Sequence, residues 1–92
     1  MPKARARHIL VSQKEVCEQL KQEIEGGADF GETAANFSEC PSGASGGDLG
    51  QFGPGQMVKE FDTVVFSGEI GVIYGPVQTQ FGYHLIEITE RD

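Results

Sequence analysis

Ninety-two residues, 38% of them apolar, suffice for one small domain with a single core and are too few for a catalytic domain plus a regulatory one. Seven Lys and Arg against fourteen Asp and Glu give a formal net charge of −7, a field that repels phosphate backbones and anionic membrane surfaces, so nucleic acid and membranes are not expected partners. No stretch has the apolar-poor, charge-rich composition of disorder, so residues 1–92 are expected to fold as one domain.

The chain opens on a basic cluster, Lys3, Arg5 and Arg7, which reads as a solvated strand rather than a polyanion site. The apolar run behind it, Ile9-Leu10-Val11, is far short of the roughly 7–15 residues of a signal-peptide core or the ~20 of a membrane span. A soluble, cytoplasmic monomer is therefore expected, although an excised domain of an exported chaperone has the same appearance. Arg5 to Val11 reads as a strand with Ala6, His8 and Leu10 on one face and Arg7, Ile9 and Val11 on the other.

From Ser12 to Glu25, Val16, Cys17, Leu20 and Ile24 recur at helical spacing, and Gly26-Gly27 ends the helix. Cys17 on that apolar face reads as a small buried hydrophobe, and without signs of export a disulfide to Cys40 is not expected. Asp29, with Glu32 three residues on, caps a second short helix whose inner face is Phe30, Ala34 and Phe37. Between Cys40 and Gly55 lie six of the thirteen glycines, a density that predicts turns and close backbone approach, with a short strand near Leu49 to Phe52. That segment lacks the Gly-Lys-Ser/Thr ending of a phosphate loop.

A third helix, about Val58 to Phe66, carries Phe61, Val64 and Val65 at i, i+3 and i+4. One strand follows near Gly75 to Gln78. A second runs about Tyr83 to Thr89, with His84, Ile86 and Ile88 on one face, after a short turn at Gln80-Phe81-Gly82. This order predicts an α+β fold, a small antiparallel sheet with helices packed over it.

Five segments then become specific: His8-Ile9-Leu10-Val11; Phe37-Ser38-Glu39-Cys40-Pro41-Ser42; Gly46-Gly47-Asp48-Leu49-Gly50; Gly55-Gln56-Met57 followed by Phe61; and Gly75-Pro76-Val77 with Thr79-Gln80-Phe81-Gly82-Tyr83-His84. In sequence and order, from about Arg5 to Glu90, they resemble the parvulin family of peptidyl-prolyl cis/trans isomerases. The resemblance implies a four-stranded antiparallel sheet surrounded by helices, FKBP-like in layout, with the site where the first and last strands lie side by side. It implies rotation of X-Pro bonds in proline-containing polypeptides, in aid of protein folding and with no cofactor. It places the proline pocket at Met57 and Phe61, with Leu49 and Phe52 completing its wall. His8 and His84 are expected to hydrogen-bond across adjacent strands and, with Cys40, to form the catalytic group, supported by Thr79, Gln80 and Phe81.

Other readings of the same residues are weaker. A Cys40 nucleophile with a histidine base lacks an identifiable oxyanion hole or orienting carboxylate. Zinc on Cys40, His8 and His84 lacks the four ligands at short paired spacing of a structural site, so no metal is expected. A groove that holds peptides without turnover remains the principal alternative, and a nucleic-acid-binding parvulin would need a basic tail that is not seen. The phosphate-directed branch of the family carries a basic loop after the first strand, whereas here Ser12-Gln13-Lys14 offers one cation, so no phosphoserine preference is expected. Lys59 stands where many small parvulins have proline before the pocket phenylalanine, and Glu39 precedes Cys40; these departures are expected to bear on the helix start or on the charge around the thiol.

Overall fold

A computed structural model describes residues 3–92. Strand β1 (Ala4–Val11) leads into helices α1 (Lys14–Glu25) and α2 (Phe30–Phe37), then a 3-10 turn over Pro41–Ser45. Strand β2 (Asp48–Phe52), helix α3 (Lys59–Ser67) and strands β3 (Ile73–Thr79) and β4 (Gly82–Arg91) follow. The strands form one antiparallel sheet in the order β2-β1-β4-β3, so the first and last strands are its centre. Pro76 sits in β3, an edge strand, where its missing N–H costs no ladder bond to a further strand.

Period-two alternation sends successive side chains of the two central strands to opposite faces. On one face Ile9, Val11 and Leu85 pack with Cys17 and Leu20 of α1 and Phe30 and Ala34 of α2. On the other, Ala4, Ala6, Ile86 and Ile88 pack with Phe52 and with Phe61 and Val65 of α3. Burial in the first core pushes the Cys17 thiol up to about 11, with Glu18 adding to the rise, so it serves as apolar volume; both cysteines are free thiols.

Two inward expectations fail. Val16 is 38% exposed and Phe37 is 53% exposed, because each helix presents a stripe narrower than its apolar pattern: Cys17 and Leu20 suffice for α1, and Thr33 with Phe30 and Ala34 for α2. The Asp29 cap forms as expected, its carboxylate accepting from the Glu32 N–H at 2.9 Å. Of the basic cluster, Lys3 is exposed and the two arginines are partly buried in ion pairs. Arg5 pairs with Asp48, and Arg7 pairs with Glu87 while its guanidinium lies 4.6 Å over the Phe30 ring.

Candidate active site

The site grows out of the half of the second face that α3 leaves uncovered. In the β1–β4 register Leu10 lies opposite His84 and His8 opposite Ile86, so the two histidines are diagonal neighbours on one face. In the β3–β4 register Thr79 lies opposite Gly82, which makes Thr79 the diagonal neighbour of His84 on the next strand. The tight hairpin over Gln80 and Phe81 fixes this placement; at its end Gly82 has φ +141°, a conformation that side-chain-bearing residues rarely adopt.

A continuous hydrogen-bonded row crosses the sheet. Thr79 Oγ1 and His84 Nε2 are 2.8 Å apart, His84 Nδ1 and His8 Nδ1 3.0 Å, His8 Nε2 and Ser42 Oγ 3.2 Å, and Ser42 Oγ and Cys40 Sγ 3.3 Å. Its direction follows from the Ser42 hydroxyl, which donates to the Cys40 sulfur and so accepts from His8. The Phe81 N–H donates to Thr79 Oγ1 at 3.1 Å, and in the same order the threonine hydroxyl donates to His84 Nε2. A neutral His84 then carries its proton on Nδ1 and donates to His8 Nδ1; His8 donates from Nε2 to Ser42, and the serine hydroxyl donates to the Cys40 sulfur. The reverse order would turn the Ser42 hydroxyl from the Cys40 sulfur to His8 Nε2.

At least one imidazole must be neutral for the Nδ1–Nδ1 contact to be a hydrogen bond, and the surroundings favour the neutral form of both. Burial is the main cause that lowers His8 to about 4, with His84 beside it as the second; burial likewise holds His84 below the ordinary histidine value. The two ring planes are nearly parallel, 17° apart, and Phe61 stands edge-on to both, at 5.7 Å from His8 and 6.0 Å from His84.

Above this row lies a cavity of about 330 Å³. Leu49, Met57, Val58 and Phe61 form its apolar side; His8 and His84 with Leu10 form its sheet side; Glu39, Cys40, Pro41 and Phe81 close the rest of the rim. Each wall is tethered. The Gly47 N–H and C=O region runs so close under β1 that a Cβ there would strike the His8 carbonyl, and the His8 N–H donates to Gly47 O at 3.0 Å. The loop bearing Met57 is held by Gln56 Oε1 accepting from the Gly53 N–H at 2.6 Å and by Asp62 Oδ1 accepting from the Gly55 N–H at 3.1 Å. Ser38 Oγ accepts from both the Leu10 and Cys40 N–H groups, docking the Cys40 segment onto the end of β1.

Most of the expected site residues therefore converge: His8, Cys40, His84, Leu49, Met57, Phe61 and Phe81 line one cavity, and Thr79 stands behind His84. Two do not. Phe52 lies behind Phe61, ring centroids 6.2 Å apart, and is core support rather than wall: it lies opposite Ala4 in the β1–β2 register and packs with Ala4, Phe61 and Val65. Gln80 is an exposed turn residue that makes no side-chain hydrogen bond among the described residues. Conversely, Ser42, Leu10 and Val58 belong to the site without having been singled out. Leu10 was signalled by sharing the His8 face at period two; Ser42 had no signal beyond its place two residues after Cys40.

Residues 2–92 match the PPIC-type PPIase domain. The chain belongs to this family, the parvulin-type peptidyl-prolyl isomerases. Over 92 residues it is 44% identical to the foldase protein PrsA of Geobacillus sp. (strain WCH70), a match covering 99% of this chain and 33% of that protein. The crystal structure of the peptidylprolyl isomerase PrsA from Bacillus anthracis aligns with a TM-score of 0.96 at 40% identity, over 99% of this chain and 42% of that one. The solution structure of NmPin, the parvulin of Nitrosopumilus maritimus, aligns at 0.85 with 32% identity over 96% of each chain. This parvulin domain thus spans about a third of the length of the curated relatives it matches and nearly the whole of a small parvulin.

Proposed function

We propose that this parvulin domain rotates X-Pro bonds by removing water from the imide above the histidine row, with the proline ring seated against Leu49, Met57 and Phe61. Rotation about the imide faces a barrier of about 18–20 kcal/mol, set by amide resonance, and requires no electron or proton to leave the substrate. Water stabilises the polar planar form through hydrogen bonds, so an apolar enclosure that fits the twisted bond lowers the barrier. Met57 adapts to the ring pucker and Phe61 supplies a flat floor. His8 and His84 act as a neutral, satisfied platform that holds Thr79 and Ser42 in register, and Ser42 in turn orients Cys40 at the rim.

The observation that carries this reading is the junction of a largely apolar cavity with a polar row whose imidazole and hydroxyl hydrogens are already committed. A covalent role for Cys40 is disfavoured by the same row, because the sulfur is linked to His8 Nε2 through the Ser42 hydroxyl, which donates to that sulfur. Assistance to protein folding is part of the proposal, in line with the foldase name of the longer relatives. Peptide holding without turnover has one observation in its favour: Phe81, on the cavity rim, is 62% exposed and offers a ring to passing chain. Catalytic amounts of the domain with Ala-Pro and Leu-Pro peptides separate the two. Accelerated cis/trans exchange supports the isomerase reading, and saturable binding with an unchanged exchange rate supports holding.

A further inference from the structure

Glu39 contributes a charge to the cavity that the isomerase chemistry does not use. Among the residues lining the cavity it is the one with a permanently ionisable acidic or basic side chain, since His8 and His84 are held neutral. It is also pinned rather than loose. Its N–H donates to Leu10 O at 2.7 Å, and its Oε2 accepts from the Ser12 N–H at 3.0 Å, fixing the carboxylate at the end of β1 beside the rim. The ion pairs among the described residues are Arg5–Asp48 and Arg7–Glu87, so Glu39 lines the cavity without a cationic side chain paired to it among those residues, in a chain whose net charge is already −7.

A peptide whose proline occupies the side formed by Met57 and Phe61 must cross this rim on one flank of the ring. We infer that Glu39 makes the domain selective for substrates with a lysine or arginine next to the proline and unfavourable to acidic or phosphorylated neighbours. This inference rests on the cavity being the proline site. Glu39 is exposed, so the attraction is that of a partly screened ion pair: worth a fewfold gain for a cation, a similar loss for an anion, and sensitive to salt.

The test is a series of tetrapeptides with Lys, Arg, Ala, Glu or phosphoserine before proline, and a second series with the same charges after it, assayed for kcat/KM. At roughly 0.01 M ionic strength the better series should favour Lys over Glu by about fivefold or more, and the ratio should shrink toward one near ~1 M. Glu39→Gln, which keeps an acceptor for the Ser12 N–H, should reduce that ratio to within about twofold of one, and Glu39→Lys should invert it. Turnover of the Ala peptides with no difference between Lys and Glu in either series, or a ratio that survives Glu39→Gln, overturns the role of Glu39 while leaving the isomerase reading intact. Absence of turnover for every peptide overturns the isomerase reading itself.

Discussion

The two faces of the central strand pair are built from the same backbone and meet different fates. Toward α1 and α2, Ile9, Val11 and Leu85 are sealed beneath two helices. Toward α3, Ala6, Ile86 and Ile88 are sealed in the same way, but α3 covers only that end, and beyond it the strands carry His8, Leu10 and His84 into a cavity. A face with two helices makes core, and a face with one helix leaves room for substrate. The polar residues sit where the cover stops because each finds a partner in its neighbour, so burying them leaves no unsatisfied side-chain atom among the described residues.

The largest expected effect is on the sealed face. Leu85 is fully buried, and Leu85→Ala should cost about 3 kcal/mol through lost burial and a residual cavity. Isomerase kcat/KM, measured well below the melting temperature, should stay within about twofold of the parent. A tenfold loss of rate in the folded variant would mean that the two faces are not separable in function.

Acid should expose the difference between the faces next. Because His8 is lowered to about 4 in the fold, the unfolded chain binds more protons than the native one between about 4 and 6.5. The stability this contributes is fully present above about 6.5 and is lost as pH falls toward 4, and His84, also lowered, acts in the same direction. Denaturant melts should therefore lose on the order of 2–3 kcal/mol across that window, a loss that His8→Asn should reduce by more than half. An unchanged slope in His8→Asn would contradict a neutral, buried His8.

The proline-facing residues should give a cleaner but smaller signal. Met57 is only half-buried, so Met57→Ala should lower kcat/KM about tenfold, equivalent to about 1.4 kcal/mol, while shifting the melting temperature little. Phe61→Ala should lose rate to a similar extent and stability as well, since the ring is 3% exposed and belongs to the core under α3. Equal turnover of Met57→Ala and parent would remove the cavity's apolar side from the reaction.

What the sequence made legible follows from period and motif. Alternation placed His8 on one strand face with Ala6 and Leu10, and His84 on one face with Ile86 and Ile88, and the order of five segments, through the family resemblance, brought Cys40, Met57 and Phe61 to the same place. Alternation within β2 could not say that Phe52 falls behind Phe61, because that depends on where α3 crosses the sheet. Nor could it say that Ser42, carried by the 3-10 turn, reaches back to His8. Helical periodicity overcounted Val16 and Phe37 for a related reason: it reports which residues share a side of a helix, and the neighbouring elements decide how much of that side is covered.

The most direct test of the account asks whether the open face rotates the imide without bonding to it. Exchange spectroscopy on a proline peptide, with catalytic amounts of parent and of Cys40→Ser, reads the rotation itself, and intact mass of each protein with substrate present reads any bond formed. Serine preserves an acceptor for the Ser42 hydroxyl. The account predicts exchange in both proteins, with rates within about threefold of each other and both masses unaltered. Loss of nearly all exchange in a folded Cys40→Ser protein, together with a substrate adduct on the parent, would contradict it.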